Sequence, residues 1–150
     1  MYNVIVADDE KNIREGIVEL IEWEKLGCKV CASMQNGAQV LKYLEEEKIH
    51  VDIIITDIKM PIMDGMELIG MLNERFPDIK VIILTAYSDF TYAQQAIKFQ
   101  VSDFVVKNDF FLELPRAVKK IIEQCEVDAK KCVGREKEIP FFQGEACRVC

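Results

Sequence analysis

The sequence predicts an α/β protein built on a doubly wound, five-stranded parallel sheet. Short apolar runs alternate along the chain with segments of helical period, an order typical of parallel α/β sheets. Two of these runs, residues 53–55 and 81–84, are continuous and β-branched, as expected of strands that are buried on both faces. Five strand–helix units fit within about 125 of the 150 residues, which is the size of one ordinary domain.

Apolar runs with strand character define the predicted sheet. Each run is short and is bounded by polar or turn-forming residues, which separates it from the helical segments. The last run is the shortest. The predicted strands are residues 2–7, 29–34, 51–56, 80–84 and 104–106.

The first three helices are predicted from capping residues and apolar spacing. Asn36 and Asp64 are suited to cap the second and third helices, because Gln39 and Glu67 follow them by three residues. Pro77 is expected to end the third helix. In the first helix, apolar residues at i, i+4, i+7 and i+8 form the core-facing stripe, namely Ile13, Ile17, Leu20 and Ile21.

Two further helices are predicted in the second half of the chain. The fourth should begin near Ser88 or Asp89. The fifth carries an apolar stripe over residues 118–125, with Pro115 confined to its first turn because proline cannot donate a helical hydrogen bond. The 4-3-4-3 spacing continues beyond this stripe, so the helix is expected to run on until Gly134.

The spacing divides the chain into two predicted regions. Residues 1–126 are expected to form the folded domain. Residues 127–150 are expected to be a helix extension, a linker or a weakly ordered tail, because no period is visible beyond Pro140.

Charge and composition exclude several classes of function. Nineteen basic against 26 acidic residues give a net charge of −7, and an acidic surface repels nucleic acid phosphates, so this chain should not bind DNA itself. No apolar run reaches the roughly 18 residues that a membrane span requires. The first residues lack a secretory signal, which favours a cytoplasmic location and six reduced cysteines.

Polar residues follow four of the five predicted strands. Asp8 and Asp9 follow the first strand, Asp57 the third, Thr85 the fourth and Lys107 the fifth. Since the carboxyl ends of parallel strands meet at one edge, these side chains should converge. Crowded carboxylates favour either protonation or a bound hard cation, and Mg²⁺ prefers oxygen ligands. An aspartate beside Mg²⁺ and a lysine can act as nucleophile toward a phosphoryl group.

Four sequence blocks resemble the signatures of response-regulator receiver domains of bacterial two-component systems. Together they cover residues 2 to about 125, and the combination is highly specific. The resemblance implies the flavodoxin-like receiver fold with strand order 2-1-3-4-5. The blocks are VIVADDE (4–10), IIITDIKMPIMDG (53–65), VIILTA (81–86) and DFVVK (103–107).

The resemblance also implies roles for individual residues. Asp57 would accept the phosphoryl group, with Thr85 and Lys107 as the other catalytic residues. Thr85 and Phe104 would form the pair that switches on phosphorylation. The implied Mg²⁺ site consists of Asp8, Asp9, Asp57 and the backbone carbonyl of Lys59.

A finer resemblance concerns the partners. Residues 21–27 (IEWEKLG) and 86–93 (AYSDFTYA) are similar to receivers whose regulators carry an AraC-type DNA-binding output domain, which lies outside these 150 residues. This implies a sensor histidine kinase as phosphodonor, a phosphorylation-dependent homodimer, and transcriptional control through the output domain. Asn108 stands where such receivers commonly have proline after the lysine.

Two other functions remain open. A small Mg²⁺-dependent phosphohydrolase could use the same carboxylates, although no substrate cap is evident. A flavodoxin-like cofactor binder would need a phosphate-binding loop after the first strand, where this chain has acidic residues. Whether the domain is an enzyme is also open, since it would phosphorylate and dephosphorylate itself without an independent substrate.

Overall fold

A single parallel sheet organises the part of the chain that the computed structural model describes, residues 1–47, 49–86 and 101–138. Its strand order is β2-β1-β3-β4-β5, which confirms the predicted topology. All five predicted strands are present, and each lies within two residues of its predicted bounds. The strands are β1 (Tyr2–Ala7), β2 (Cys28–Met34), β3 (Ile53–Asp57), β4 (Lys80–Thr85) and β5 (Asp103–Val106).

The second and third helices begin where their capping residues predict. The Gln39 N–H donates to Asn36 Oδ1, and the Glu67 N–H donates to Asp64 Oδ1, both at 2.9 Å. The predicted helix near Ser88 lies outside the described residues. The observed helices are α1 (Lys11–Leu20), α2 (Gly37–Glu46), α3 (Gly65–Arg75) and a C-terminal helix (Phe110–Glu138), with 3₁₀ turns at Trp23–Leu26 and Lys107–Asp109. None of these helices is both long and apolar enough to cross a membrane.

The sheet is buried on both faces, which explains its continuous apolar strands. Successive side chains of a strand point to opposite faces, and Ile54 and Ile55 accordingly belong to different core clusters. One cluster packs against α1 and the C-terminal helix. The other packs against α2 and α3. Helices on both sides therefore cover the central strands, and the strand ends carry the site.

Three details of the helices differ from the sequence prediction. Leu20 is 58% exposed, because α1 ends there and the chain turns so that Ile21 rather than Leu20 enters the core. Pro115 is the sixth residue of the C-terminal helix rather than part of its first turn, because the helix begins directly after a 3₁₀ turn. The helix also continues past Gly134 and reaches Glu138.

The edge strand β2 carries a bulge. Its pairing with β1 joins Val4 to Val30 and then Ile5 to Ala32, so Cys31 has no partner residue in the ladder. The Cys31 thiol lies 3.4 Å from the Val4 carbonyl oxygen. Cys28 and Cys31 belong to the cores on opposite faces of the sheet and are both free thiols.

Candidate functional site

The predicted side chains meet at the carboxyl edge of the sheet. Asp8 follows β1, Asp57 ends β3, Thr85 ends β4 and Lys107 follows β5. All four are buried, with Asp8 fully inaccessible and Asp57 only 4% exposed. Asp9 is exposed beside them, so the site is closed toward the core and open toward solvent. The convergence predicted from the common carboxyl edge of parallel strands is therefore confirmed.

Lys107 is the centre of the site. Since β4 lies between β5 and β3, the lysine side chain extends across the end of β4 to reach the carboxylates. Its Nζ lies 2.9 Å from Asp57 Oδ2 and 2.8 Å from Glu10 Oε1. The same nitrogen lies 3.3 Å from Asp8 Oδ1 and 3.1 Å from Asp8 Oδ2. One ammonium thus donates hydrogen bonds to three carboxylates.

Burial shifts the ionisation of these groups. Burial raises the pKa of Asp8 to about 6, although a hydrogen bond from the Glu10 backbone opposes the shift and the Asp57 charge adds to it. The pKa of Asp57 is also raised by burial, against the lowering influence of Lys107. Burial alone would lower the pKa of Lys107, but its hydrogen bonds to Glu10 and Asp57 raise it, so the ammonium stays charged.

Backbone contacts fix the orientation of the two buried carboxylates. The Ile58 N–H donates to Asp57 Oδ1 at 2.7 Å, which leaves Oδ2 facing Lys107. The Glu10 N–H donates to Asp8 Oδ1 at 2.9 Å. The Arg14 guanidinium donates to the Asp8 carbonyl oxygen at 2.6 Å and ties the β1–α1 loop to the first turn of α1. Both carboxylates are therefore held in place before any ligand binds.

The loop after Asp57 is tightly constrained. The Gly65 N–H donates to the Ile58 carbonyl at 2.7 Å, and the Gly37 N–H donates to the Met63 carbonyl at 3.0 Å. Between these anchors the Met63 N–H donates to the Pro61 carbonyl at 2.7 Å, closing a three-residue turn around Ile62. Ile62 has φ 67°, an unfavourable value for a β-branched residue, and its side chain is 83% exposed.

The residues present fit a divalent cation. Carboxylate oxygens of Asp8, Asp9, Glu10 and Asp57 all lie within 4.8 Å of one another. Four carboxylates and the Lys107 ammonium leave a local charge of −3 when all are ionised. Asp8 Oδ2 is buried and receives no hydrogen bond from the described residues. A buried oxygen that lacks a hydrogen bond, in an acidic and partly open site, suits Mg²⁺, which prefers oxygen ligands and retains several waters.

The remaining predicted residues lie around this centre. The Thr85 hydroxyl donates to the Ala86 carbonyl at 3.0 Å, and Thr85 pairs with Val106 next to Lys107. Phe104 is partly buried on the face that packs against α2 and α3. Lys59 has an exposed side chain and lies two residues after Asp57. The roles of these residues, and of the Lys59 carbonyl, stay predictions.

Sequence reasoning did not single out Glu10 or Arg14. Glu10 follows the acid pair and precedes α1, and no role was predicted for it. Its 2.8 Å contact with Lys107 depends on a lysine 97 residues away. Arg14 acts through a backbone oxygen, and no sequence pattern marks such a contact. The one available signal was the run of three acidic residues at the end of β1.

The raised pKa of Asp8 predicts a pH dependence of stability for the metal-free protein. Because the folded-state value of about 6 lies above the reference value of 3.8, the folded state holds the proton more tightly than the unfolded chain does. The free energy of unfolding should therefore fall as the pH rises from about 4 to about 6, and level off above it. The fall should be about 2–3 kcal/mol.

Urea denaturation in EDTA, with Asp8→Asn measured beside the parent protein, checks this expectation. The asparagine retains an oxygen for the Glu10 N–H but does not titrate. The parent should lose about 2–3 kcal/mol more than the variant between pH 4 and pH 7. Parallel pH profiles for the two proteins would show that Asp8 titrates normally.

Comparison with known proteins identifies the class of domain. The family model described as "Response regulator receiver domain" matches residues 4–119. The chain is 33% identical over 149 residues to the transcriptional regulatory protein YesN of Bacillus subtilis, covering 97% of this chain and 40% of that protein. It is 30% identical over 128 residues to the transcriptional regulatory protein HptR of Staphylococcus aureus, covering 83% of this chain and 49% of that protein. The chain thus spans less than half the length of these curated relatives.

Solved structures give the same result. The receiver domain of AraT, a response regulator of Geobacillus stearothermophilus, is 38% identical and superimposes with a TM-score of 0.72 over 82% of this chain and 96% of that one. A response regulator receiver domain protein of Clostridium thermocellum is 28% identical, with a TM-score of 0.74 over 85% of this chain and 98% of that one. With the strand order and the acidic edge described above, these matches show that the chain belongs to the response regulator receiver domain family.

Proposed function

We propose that this receiver domain is a phosphorylation-controlled switch in which Asp57 accepts the phosphoryl group from a sensor histidine kinase. The observation that carries the proposal is the arrangement around Asp57. One of its oxygens is fixed by the Ile58 N–H, and the other faces the Lys107 ammonium at 2.9 Å. A carboxylate with one fixed and one presented oxygen is suited to nucleophilic attack on phosphorus.

The chain's own residues account for most of the proposed transfer. An oxygen of Asp57 forms a bond to phosphorus while the bond from phosphorus to the leaving group breaks; with acetyl phosphate, acetate leaves with the bonding electrons. Lys107 neutralises charge on the transferred oxygens. Asp8, Asp9 and Asp57, with the Lys59 carbonyl, would hold Mg²⁺, which when bound supplies further positive charge to the phosphoryl group. Thr85 would donate its hydroxyl hydrogen to a phosphoryl oxygen.

The proposed output is a change of surface. Thr85 now donates to the Ala86 carbonyl, so donation to a phosphoryl oxygen would require it to leave that partner. Phe104 would then move inward, which biases a two-state surface toward a homodimer. We place residues 1–126 in the receiver and the continuous helix beyond residue 126 in the connection to an AraC-type DNA-binding output domain. Such a regulator would act in the cytoplasm.

Acetyl phosphate with Mg²⁺ tests the assignment of Asp57. Intact-mass spectrometry should show the addition of one phosphoryl group to the parent protein and none to Asp57→Asn. Asp52→Asn is a suitable control, because Asp52 lies at the opposite end of β3, where its side chain accepts from the Asn3 N–H. Equal phosphorylation of the parent and Asp57→Asn would contradict the proposal. The phosphohydrolase and cofactor-binding alternatives are not favoured, since the family model and the relatives named above are response regulators or transcriptional regulators.

A further inference from the structure

We infer that Glu10 is a positioning residue that holds the Lys107 ammonium in the unphosphorylated site and releases it when a phosphoryl group arrives. The inference rests on the function proposed above for Asp57. Glu10 is the third carboxylate on Lys107, with Oε1 2.8 Å from Nζ, which is the shortest of the contacts that nitrogen makes. Neither the acid pair nor the switch pair includes it.

The hydrogen-bonding capacity of Lys107 makes an exchange of partners necessary. An ammonium has three N–H donors, and Lys107 uses them on Glu10, Asp57 and Asp8. Its side chain is 8% exposed, so no spare donor faces bulk solvent. A phosphoryl oxygen on Asp57 can therefore gain a hydrogen bond from Lys107 only if one existing partner gives up its own.

Burial decides which partner is released. The Asp8 side chain is fully inaccessible, so losing Lys107 would leave a buried charge without compensation, at a large energetic cost. Asp57 carries the phosphoryl group, so Lys107 has to stay beside it in both states. The Glu10 side chain is 60% exposed, so water can replace the ammonium around its carboxylate at little cost. Glu10 is thus the exchangeable partner.

The charge of Glu10 also opposes the approach of a phosphodonor. Its carboxylate lies within 4.8 Å of the other ligand oxygens, where an anionic donor must approach. At such distances two unit charges repel by about 1 kcal/mol even in water. Because the Glu10 carboxylate is exposed to solvent, salt weakens this repulsion. Removing the charge while keeping the shape should speed phosphorylation, and the gain should depend on ionic strength.

The test measures the rate of phosphorylation of Asp57 by acetyl phosphate at saturating Mg²⁺, in low salt and in about 1 M salt, where the Debye length is roughly 3 Å. Glu10→Gln should be phosphorylated roughly three- to tenfold faster than the parent in low salt. The difference should largely disappear in high salt. Glu10→Asp, which keeps the charge, should stay close to the parent. Glu15→Gln removes an exposed carboxylate of α1 that pairs with Lys11. Its rate of phosphorylation should also stay close to that of the parent.

Each outcome decides the question. A rate for Glu10→Gln equal to or below that of the parent in low salt would overturn the inference. So would an equal acceleration in Glu15→Gln, or an acceleration that salt leaves unchanged, because a purely structural effect would not be screened. If the parent itself gains no phosphoryl group on Asp57, the proposed function fails, and that result is distinct from a failure of the Glu10 assignment.

Discussion

Substitution of Gly65 by alanine is expected to destabilise the protein by about 3 kcal/mol or more. A Cβ atom at this position would lie 2.1 Å from the carbonyl oxygen of Asp57 and 2.9 Å from the Cα of Ile58. Both are backbone atoms, so neither can rotate away as a side chain could. The contact also lies where the Gly65 N–H donates to the Ile58 carbonyl, and so the start of α3 would separate from the end of β3.

Gly70→Ala is the matched control for this substitution. Gly70 lies in the same helix, and a Cβ atom there would meet nothing within 4 Å. Since alanine is the better helix former, Gly70→Ala should stabilise the protein by about 0.5–1 kcal/mol. Urea denaturation of both variants measures the contrast. A Gly65→Ala protein within about 1 kcal/mol of the parent would show that the β3–α3 junction is not as closely packed as described.

Substitution of Lys107 by methionine should have a comparable effect on stability. The change removes the only ammonium that contacts the fully buried Asp8 and nearly buried Asp57 in the described part of the chain. Removing one partner of a buried ion pair typically costs about 3–5 kcal/mol, because the other partner stays buried and charged. We expect a loss of about 3 kcal/mol at pH 8 in EDTA, since Asp8 and Asp57 can still share a proton.

The loss should shrink at low pH. Lys107 lowers the pKa of both carboxyls, so in its absence both pKa values rise further above the reference. As the pH falls, the two groups therefore become protonated at a higher pH than in the parent, and once protonated they no longer need a cation. Lys11→Met, which removes a lysine paired with Glu15 on the surface at 3.9 Å, should change stability by less than about 0.5 kcal/mol. An equal loss for Lys107→Met at pH 5 and pH 8 would contradict this account.

The sheet and the site edge were predictable from sequence because they depend on local patterns. Continuous β-branched runs located the buried strands, and the caps Asn36 and Asp64 located two helix starts. Asp8, Asp57 and Lys107 were found together because parallel strands end at one edge. These predictions needed only the identity of residues and their order along the chain.

Features that depend on tertiary geometry were not predictable in this way. Leu20 has the helical spacing of a core residue but is exposed, since the orientation of α1 on the sheet decides which residues of its stripe are covered. The role of Glu10 can be inferred only from the position of the Lys107 nitrogen in the folded protein. The left-handed turn at Ile62 is imposed by hydrogen bonds on either side, against the preference of a β-branched residue.

The bulge at Cys31 has a consequence for how this protein behaves at high concentration. β2 lies at the edge of the sheet, where unpaired backbone groups could recruit a strand from another molecule and lead to aggregation. A bulge increases the local twist of its strand, which makes the free edge a poor template for such pairing. The exposed Lys29 on the same strand adds a charge that an incoming strand would have to desolvate. The irregular edge therefore favours a discrete molecule over an open-ended assembly.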